Sequence, residues 1–270
     1  MTGFEPATYS LRENRSTPEL HRLAKWSNIS MIRLPKQIDA PNLYRGFKIS
    51  DRGCCYIFSV TKLLLMQEYI ATYPVTFYIV AANVLISLTA LYVYPSLIEF
   101  GYLKPYRTVR EKTWYEMVTS GFLHANLGHL FVNTFTLYFF GPVMEQVMGS
   151  TYFLGLYFTG LVAAAIPSIV KFKHDPNYAT LGASGAVGSV LFAFIFLFPM
   201  ESIYLMLIPI PIPAFVFAIL YLIYSMYASK QARGKINHEA HVAGALWGIV
   251  YLLVFVPNSI DHILTVFGLI

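Results

Sequence analysis

The chain has 270 residues, of which 56% are hydrophobic, 16% are aromatic and only 12% are charged. About a quarter of the residues of a soluble domain are charged, so this composition excludes an ordinary soluble protein and indicates a protein of the lipid bilayer. Ten of the 19 lysines and arginines and five of the 14 aspartates and glutamates precede Met66. The basic excess therefore belongs to the first 65 residues, and no nucleic-acid partner is expected.

Residues 1–65 are predicted to be a poorly structured segment, because 1–50 show no sustained period of 2 or 3.6. Acidic residues argue against a transit peptide, and the apolar run 54–60 comes too late for a secretory signal. The string TGFEPATYSLRENRSTPELHRL resembles peptides read through a tRNA gene. We therefore expect a mis-assigned start with translation beginning at Met66; the alternative is a genuine cytosolic tail. Both cysteines lie in this segment, so 66–270 has no disulfide or cysteine metal site.

Residues 66–270 are predicted to form one domain of six membrane-spanning helices, since a span needs about 20 largely apolar residues. Prolines 209, 211 and 213 cannot sit inside a helix, so the fifth span is expected to follow an extended lead-in. Trp114 lies in a long loop, 98–115, whose aromatic residues favour the membrane interface. The predicted fold is thus an all-α polytopic membrane protein with a short fourth helix. The predicted spans are 75–97, about 116–140, about 150–170, about 184–199, about 213–227 and about 239–257.

The lysines and arginines after residue 65 all fall in the first, third and fifth loops. The positive-inside rule places those loops in the cytoplasm, although ten opposing charges in 1–65 would cancel the bias. We expect a multi-pass integral membrane protein of a bacterial cell membrane.

Two polar motifs lie within the predicted spans, where ionisable groups are costly and are functional candidates. His129 and Asn133 are four residues apart on one helix face, and His124 lies more than a turn nearer the loop. Ser184, flanked by Gly182 and Gly185, opens the fourth span. Taken singly, the first motif is also explained by hydrogen bonds between helices and the second by close helix packing.

The stretch N-H-E-A-H near the end of the chain resembles the H-E-x-x-H zinc motif with one residue missing. His238 and His241 still share a helix face, so ligation with His124 or His129 is not excluded. Glu239, however, lies between the two histidines and points elsewhere, so no metal is expected. Glu145, at the end of the second span, is predicted to tie down the turn into the third.

Ser184 and His241 both lie near the start of a predicted span, so they can meet at similar depth. Gly244-x-x-x-Gly248 and Ser184-x-x-x-Gly188 are small-residue seams that allow helix backbones to approach closely. A serine hydroxyl within reach of an imidazole is the minimal arrangement for nucleophilic catalysis. His129 and Asn133 would then supply donors to a developing oxyanion.

Together these residues resemble the rhomboid family of intramembrane serine proteases over about residues 70–258. The family pattern has a histidine and H-x-x-x-N in span two, G-x-S-G at the head of span four, and H-x-x-G-x-x-x-G in span six. This chain has His124, His129-Leu-Phe-Val-Asn133, Gly182-Ala-Ser184-Gly185 and His241-Val-Ala-Gly244-Ala-Leu-Trp-Gly248 in the same order.

The resemblance implies a six-helix rhomboid-like bundle that needs no cofactor and cleaves transmembrane proteins within the lipid bilayer. Ser184 would be the nucleophile and His241 the general base, with no aspartate in the dyad. His129, Asn133 and the Ser184 backbone N–H would form the oxyanion hole. Gly182, Gly185, His124 and His238 would line the oxyanion site and cavity, and Glu145, Gly244, Gly248 and Trp114 would be structural.

This chain departs from the family pattern at two positions and in its charge distribution. It has Trp114-Tyr115 where members often have Trp-Arg, and Gly188 where some have a tyrosine that stacks on the histidine. Many bacterial members place the active site outside the cytosol, whereas the charges here predict the inside. The main alternative function is a non-catalytic relative that binds membrane proteins and steers their degradation. A transporter is disfavoured because no inverted repeat is seen.

Overall fold

The computed structural model describes residues 66–205, 208–231, 237–266 and 268–269; the segment expected to be poorly structured, 1–65, lies outside these ranges. The described chain is mostly helical, with one short β-hairpin. Its elements are α1 (Pro74–Tyr92), α2 (Ser96–Gly101), α3 (Pro105–Arg110), α4 (Glu116–Thr119), a 3₁₀ turn (Ser120–Phe122), α5 (Leu127–Met148), α6 (Ser150–Phe172), α7 (Ser184–Leu197), β1 (Ser202–Leu205), β2 (Ile208–Pro213), α8 (Ala214–Gln231), α9 (His238–Phe255) and α10 (Ser259–Val266).

Among the described residues, three helices are long and apolar enough to cross a membrane: α1, α6 and α9. Helix α7 and residues Ala214–Ser225 of α8 are apolar but shorter. The prediction of a helical membrane protein is therefore confirmed. The count of six spans stays a prediction.

The second predicted span, about 116–140, has wrong bounds at both ends. Residues 116–122 form α4 and the 3₁₀ turn, and α5 begins only at Leu127. The cause is Asn126, whose extended backbone and side-chain oxygen, accepting from the His129 N–H at 2.9 Å, cap the helix there. Helix α5 then continues through Pro142 to Met148. His124 consequently lies ahead of the helix instead of within it.

The predicted loop 98–115 is folded into two short helices, α2 and α3. Leu103 pairs with Thr180 in an isolated antiparallel bridge, with both N–H···O distances at 2.9 Å, so this segment is held against the loop that leads into α7. Trp114 is 50% exposed, so its side chain does not anchor this loop in the protein core. Any anchoring by Trp114 is to the surroundings of the protein.

A buried carboxylate ties this segment together. Glu116 has no exposed surface and accepts hydrogen bonds from Arg107 Nε at 2.6 Å and Thr108 Oγ1 at 2.8 Å. A third bond comes from the backbone N–H of Lys104 at 2.9 Å. This ion pair supplies an anchor in the loop where Tyr115 replaces the family's arginine.

The proline-rich lead-in to the fifth span is extended, as predicted. Its residues form β2, which pairs antiparallel with β1, and α8 begins directly after Pro213. Proline cannot donate a backbone hydrogen bond, which suits a two-stranded hairpin where each strand has one unpaired edge. The Ala214 N–H donates to the Glu201 carbonyl at 2.8 Å, closing the hairpin onto the first turn of α8.

Helices α7 and α9 meet along a seam of small residues. A Cβ added to Gly244 would lie 2.1 Å from the Gly185 carbonyl oxygen, and one added to Gly248 would lie 2.2 Å from the Ser189 carbonyl oxygen. The α7 half of the seam is thus Gly185 and Ser189, one position beyond the predicted Ser184 and Gly188. A Cβ on Gly188 would make only ordinary contacts, the nearest 3.7 Å away. Because the close contacts with α9 are made by Gly185 and Ser189, Ser184 lies beside the seam and not within it.

Candidate active site

Ser184 and His241 are brought together by the first turns of two helices. Ser184 is the first residue of α7, and His241 is the fourth residue of α9. The His241 Nε2 and Ser184 Oγ atoms lie 2.7 Å apart, within hydrogen-bond distance. The Gly244 contact with Gly185 supplies the close backbone approach that this distance requires.

Gly182 shapes the turn that leads into α7. Its φ of +127° is a conformation that side chains rarely adopt, and an added Cβ would lie 2.5 Å from Cε1 of His129. The Gly182 N–H also donates to the Ser120 carbonyl at 2.9 Å. A glycine is therefore required here both by the backbone and by the imidazole that packs against it.

His129 and Asn133 lie one turn apart on α5 and line the same cavity as Ser184. Asn133 is buried and donates one Nδ2 proton to the His129 carbonyl at 2.9 Å. Because the amide nitrogen carries two protons, a second donor remains for a group in the cavity.

His124 does not line the cavity as expected; it lies behind His129. Its side chain is 1% exposed, its Nδ1 is 2.8 Å from the Ser87 hydroxyl of α1, and its ring centroid is 5.0 Å from that of His129. Since α5 begins after His124, this residue belongs to the connecting segment and is buried against α1. It supports the His129 ring from behind.

His238 is buried and lines the cavity beside the dyad. Its ring lies edge-on to His241, with centroids 6.0 Å apart, and edge-on to Tyr224 of α8, at 5.9 Å. Glu239 instead forms an ion pair with Lys171 at the end of α6. In the described ranges no group of three or more His, Cys, Asp or Glu side chains could hold a metal ion.

The dyad lies in the wall of a cavity of 580 Å³ enclosed by α5, α6, α7, α8 and α9. This volume is within the range of ligand-binding cavities. The wall brings together most of the residues singled out from the sequence: His129, Asn133, Gly182, Ser184, Gly185, His238 and His241.

Glu145 lies away from the cavity, and it bonds the first turn of α1 as well as the predicted turn into α6. Its carboxylate accepts from the Ser150 hydroxyl at 2.7 Å, which ties the turn into α6. It also accepts from the backbone N–H groups of Val75 at 3.0 Å and Thr76 at 2.8 Å. These N–H groups are unpaired donors of the first turn of α1, so Glu145 also caps that helix.

Three polar residues near the dyad were missed from the sequence. Ser189 donates to the Gly244 carbonyl at 2.8 Å, across the seam. Asn237 caps α9, and its Nδ2 donates to the buried Ser168 of α6 at 2.5 Å. An asparagine directly before a helical pattern is a known N-cap signal, so Asn237 was detectable; Ser168 and Ser189 carry no such signal.

The described geometry can be compared with known families and relatives. A family model described as Rhomboid domain matches residues 111–258, more than half of the chain. RHOMBOID-like protein 12, mitochondrial, of Arabidopsis thaliana is 30% identical over 144 residues, covering 48% of this chain and 43% of that protein. Rhomboid-like protein 11, chloroplastic, of the same plant is 35% identical, covering 54% of this chain and 55% of that protein.

A bacterial relative is similar as well. Rhomboid protease GluP of Bacillus subtilis is 33% identical over 102 residues, covering 38% of this chain and 19% of that protein. The alignments with the two plant proteins span about half of their length. Two of these relatives are named for mitochondria or chloroplasts and one comes from a bacterium. They therefore do not single out the bacterial cell membrane that was expected for this chain. By its family match, the chain belongs to the rhomboid family.

Proposed function

We propose that this chain is an intramembrane serine endopeptidase that cleaves transmembrane segments of other membrane proteins. The observation that carries the proposal is the 2.7 Å contact between Ser184 Oγ and His241 Nε2 in the wall of the cavity. A nucleophile in contact with a base is the minimal requirement for acyl transfer. The similarity to a relative named as a rhomboid protease agrees with it.

In the first half-reaction, His241 Nε2 takes the proton of the Ser184 hydroxyl as its oxygen attacks the carbonyl carbon of the substrate peptide bond. The resulting oxyanion is stabilised by the Ser184 N–H, the free amide proton of Asn133 and the His129 side chain. His241 then gives its proton to the leaving amine, and the peptide bond breaks to leave an acyl-enzyme.

In the second half-reaction, water in the cavity gives a proton to His241 and attacks the acyl carbon. Collapse of that intermediate releases the carboxylate product and returns the proton to Ser184. The dyad works without an aspartate, so the His241 ring must be held by its own helix and its neighbours. His238 and the Ser184 contact flank the ring.

The substrate is proposed to be a membrane-spanning helix with glycine, alanine or proline near the cut site, because an intact helix hides its peptide bonds. The helix would enter sideways from the lipid past α8, whose extended lead-in permits movement. Exposed apolar side chains of α8, such as Ile219, Leu220 and Ile223, suit contact with lipid and with such a helix. The proposal includes six crossings, made by α1, α5, α6, α7, α8 and α9.

Co-expression with model transmembrane substrates tests the proposal. Wild-type protein should cleave a reporter, and Ser184→Ala should abolish cleavage while protein level and folding are retained. Ser259→Ala is the matched control, because Ser259 is also buried but bonds the Leu252 carbonyl at the far end of α9. Undiminished cleavage by Ser184→Ala would rule out the serine mechanism.

Two further measurements separate the rival functions. A fluorophosphonate probe should label wild-type protein and not Ser184→Ala, whereas a non-catalytic relative would bind substrates without being labelled. Chelators should leave cleavage unchanged; loss of cleavage on chelation would indicate a metalloprotease that uses the histidines of α9.

A further inference from the structure

The first turn of α9, which carries the base, is joined to α6 by a hydrogen bond between the partly buried Asn237 and the fully buried Ser168. We propose that Asn237 and Ser168 form a positioning pair that fixes His241 against Ser184. The inference rests on the proposed function, because it assigns a role in the serine chemistry of that site. Neither residue touches the reacting atoms in this arrangement; both act through His241.

His241 needs such support because it lies at the very start of its helix. Its N–H reaches the Asn237 carbonyl at 3.3 Å, a long bond, and the Asn237 Oδ1 accepts from the Ala240 N–H at 3.1 Å. The N–H groups of a first helical turn have no other intrahelical partner, and helix ends fray. Without the Asn237 cap the turn that carries the base is the first part of α9 to loosen.

The cap is itself held from outside the helix. Asn237 Nδ2 donates to Ser168 Oγ at 2.5 Å, and Ser168 has no exposed surface. A partly buried hydrogen bond is weakened less by competing water than an exposed one. The pair therefore fixes both the position along the axis and the rotation of the first turn of α9.

The same face of α6 also sets the position of the nucleophile. Ala164 lies four residues before Ser168, so both project from one face of the helix. The Ala164 Cβ would lie 2.2 Å from a Cβ added to Gly185, the residue next to Ser184. Helix α6 thus contacts α7 beside the nucleophile and α9 at the cap before the base, which makes it the common support of the dyad.

Other bonds between α6 and α9 cannot replace this pair. Lys171 and Glu239 form an ion pair, but the Lys171 side chain is 52% exposed and such pairs contribute little. Trp247 Nε1 donates to Thr159 Oγ1 at 2.9 Å, farther along the helix than His241. The Asn237–Ser168 bond has a fully buried acceptor and lies on the side of His241 where α9 begins.

The test measures the rate of Ser184 labelling by a fluorophosphonate probe, together with kcat and KM for a transmembrane reporter substrate, in the full chain in liposomes. Ser168→Ala removes the bond from Asn237 to α6, together with the bond between Ser168 and the Tyr178 side chain, and leaves the cap. It should lower the labelling rate and kcat about tenfold with KM unchanged, since small misplacements of a catalytic group reduce rates by up to about 100-fold. Asn237→Ala, which removes both cap and bond, should lower them further.

Asn237→Asp is the conservative variant, because its carboxylate can accept from both the Ala240 N–H and the Ser168 hydroxyl; it should stay within about threefold of wild type. Ser259→Ala is the matched control: it also removes a buried hydroxyl bond of α9, but should leave the labelling rate unchanged. Wild-type labelling by Ser168→Ala, or equal loss in Ser259→Ala, would overturn the positioning role while leaving the proposed function intact. If the wild type is not labelled at Ser184, the proposed function fails and the inference falls with it.

Discussion

At the scale of single residues, Gly182 combines a strained backbone conformation with a close contact to His129, a proposed oxyanion donor. Replacing it with alanine forces a side chain into a φ of +127° and places the new Cβ 2.5 Å from Cε1 of His129. Such strain costs about 1–3 kcal/mol, and the clash displaces a proposed oxyanion donor as well. We expect Gly182→Ala to lose both thermal stability and fluorophosphonate labelling.

Gly149→Ala is the matched control for that prediction. Gly149 also has a positive φ, +84°, but a Cβ there would meet nothing within 4 Å. This variant should lose a comparable amount of stability and keep its labelling rate at temperatures where it is folded. Equal loss of labelling in both variants would show that strain alone, and not the contact with His129, explains the effect.

Glu145 makes a second residue-scale prediction, one of stability without catalysis. Glu145→Gln replaces one acceptor oxygen of the buried carboxylate with a donor that faces N–H groups or the Ser150 hydroxyl. Hydrogen bonds to a charged group are worth about 1.5–3 kcal/mol, so a loss of about 3 kcal/mol in unfolding free energy is expected. Denaturation in detergent measures it. The exposed neighbour variant Gln146→Ala should unfold like wild type, and lost labelling by folded Glu145→Gln would contradict a purely structural role.

At this scale the candidate residues were found from their spacing, and their catalytic roles stay predictions. Ser184, His129, Asn133 and His241 were identified because their spacing matches a chemical pattern, and they lie around one cavity. His124 was expected on the cavity because the predicted helix began ahead of it; the N-cap at Asn126 instead leaves His124 before α5, where it is buried against Ser87. Ser168 was missed because a serine in an apolar helix carries no signal of its tertiary partner.

At the scale of elements, the seam between α7 and α9 sets the distance between Ser184 and His241, the proposed nucleophile and base. A methyl group on Gly244 would lie 2.1 Å from a backbone oxygen, which cannot move aside as a side chain can. Gly244→Ala should therefore push the helices apart and lower the labelling rate about 100-fold. The exposed neighbour variant Leu246→Ala should label like wild type.

Gly248→Ala provides a graded comparison on the same seam. Its clash, at 2.2 Å from the Ser189 oxygen, is as severe, but it lies seven residues beyond His241, about 10 Å along the helix. It should lower stability as much as Gly244→Ala and the labelling rate less. A greater rate loss for Gly248→Ala would contradict a seam that acts mainly by holding His241 close.

The segment of α2, α3 and α4 makes a further prediction, about the stability that Glu116 provides. The sequence did not predict this buried carboxylate as the anchor of the segment. Glu116→Ala removes the bonds that the buried carboxylate accepts and leaves Arg107, whose side chain is 24% exposed, without its partner; hydrogen bonds to a charged group are worth about 1.5–3 kcal/mol, so a loss of about 3 kcal/mol is expected. Arg107→Ala should cost less, because Glu116 keeps its bonds from Thr108 and Lys104. The double variant should cost less than the two single losses combined, which denaturation of the three proteins measures. Strict additivity would contradict a coupled pair.

The boundaries of elements show what periodicity and composition can predict. The extended lead-in before α8 was predicted because alternating prolines exclude a helix whatever the tertiary context. The start of α5 was missed by about ten residues because the N-cap signal of Asn126 was overlooked, and that cap decides where the helix begins. The helices α2 and α3 were missed because two short helices of six residues have too few turns to show a period.

At the scale of the whole molecule, the proposed crossing by the short α7 would determine how deep Ser184 and His241 lie in the membrane. Its 14 residues span about 21 Å, less than the roughly 30 Å of a hydrocarbon core. In the proposed six-crossing chain Ser184 would lie below the membrane surface, and the cavity lined by α5, α6, α7, α8 and α9 would bring water to it. The loop before α7 and the turn after it must then lie on opposite sides of the membrane.

Single cysteines test that arrangement in a chain whose Cys54 and Cys55 have been replaced by serine. Asn177 lies in the loop before α7 and Met200 in the turn after it, and both are exposed. A membrane-impermeant maleimide added to sealed vesicles should label Asn177→Cys and Met200→Cys from opposite sides, and both after detergent is added. Labelling of both from one side would contradict a crossing by α7. It would also place the Ser184–His241 pair at a surface, where a soluble segment and not a membrane-spanning helix would be the substrate.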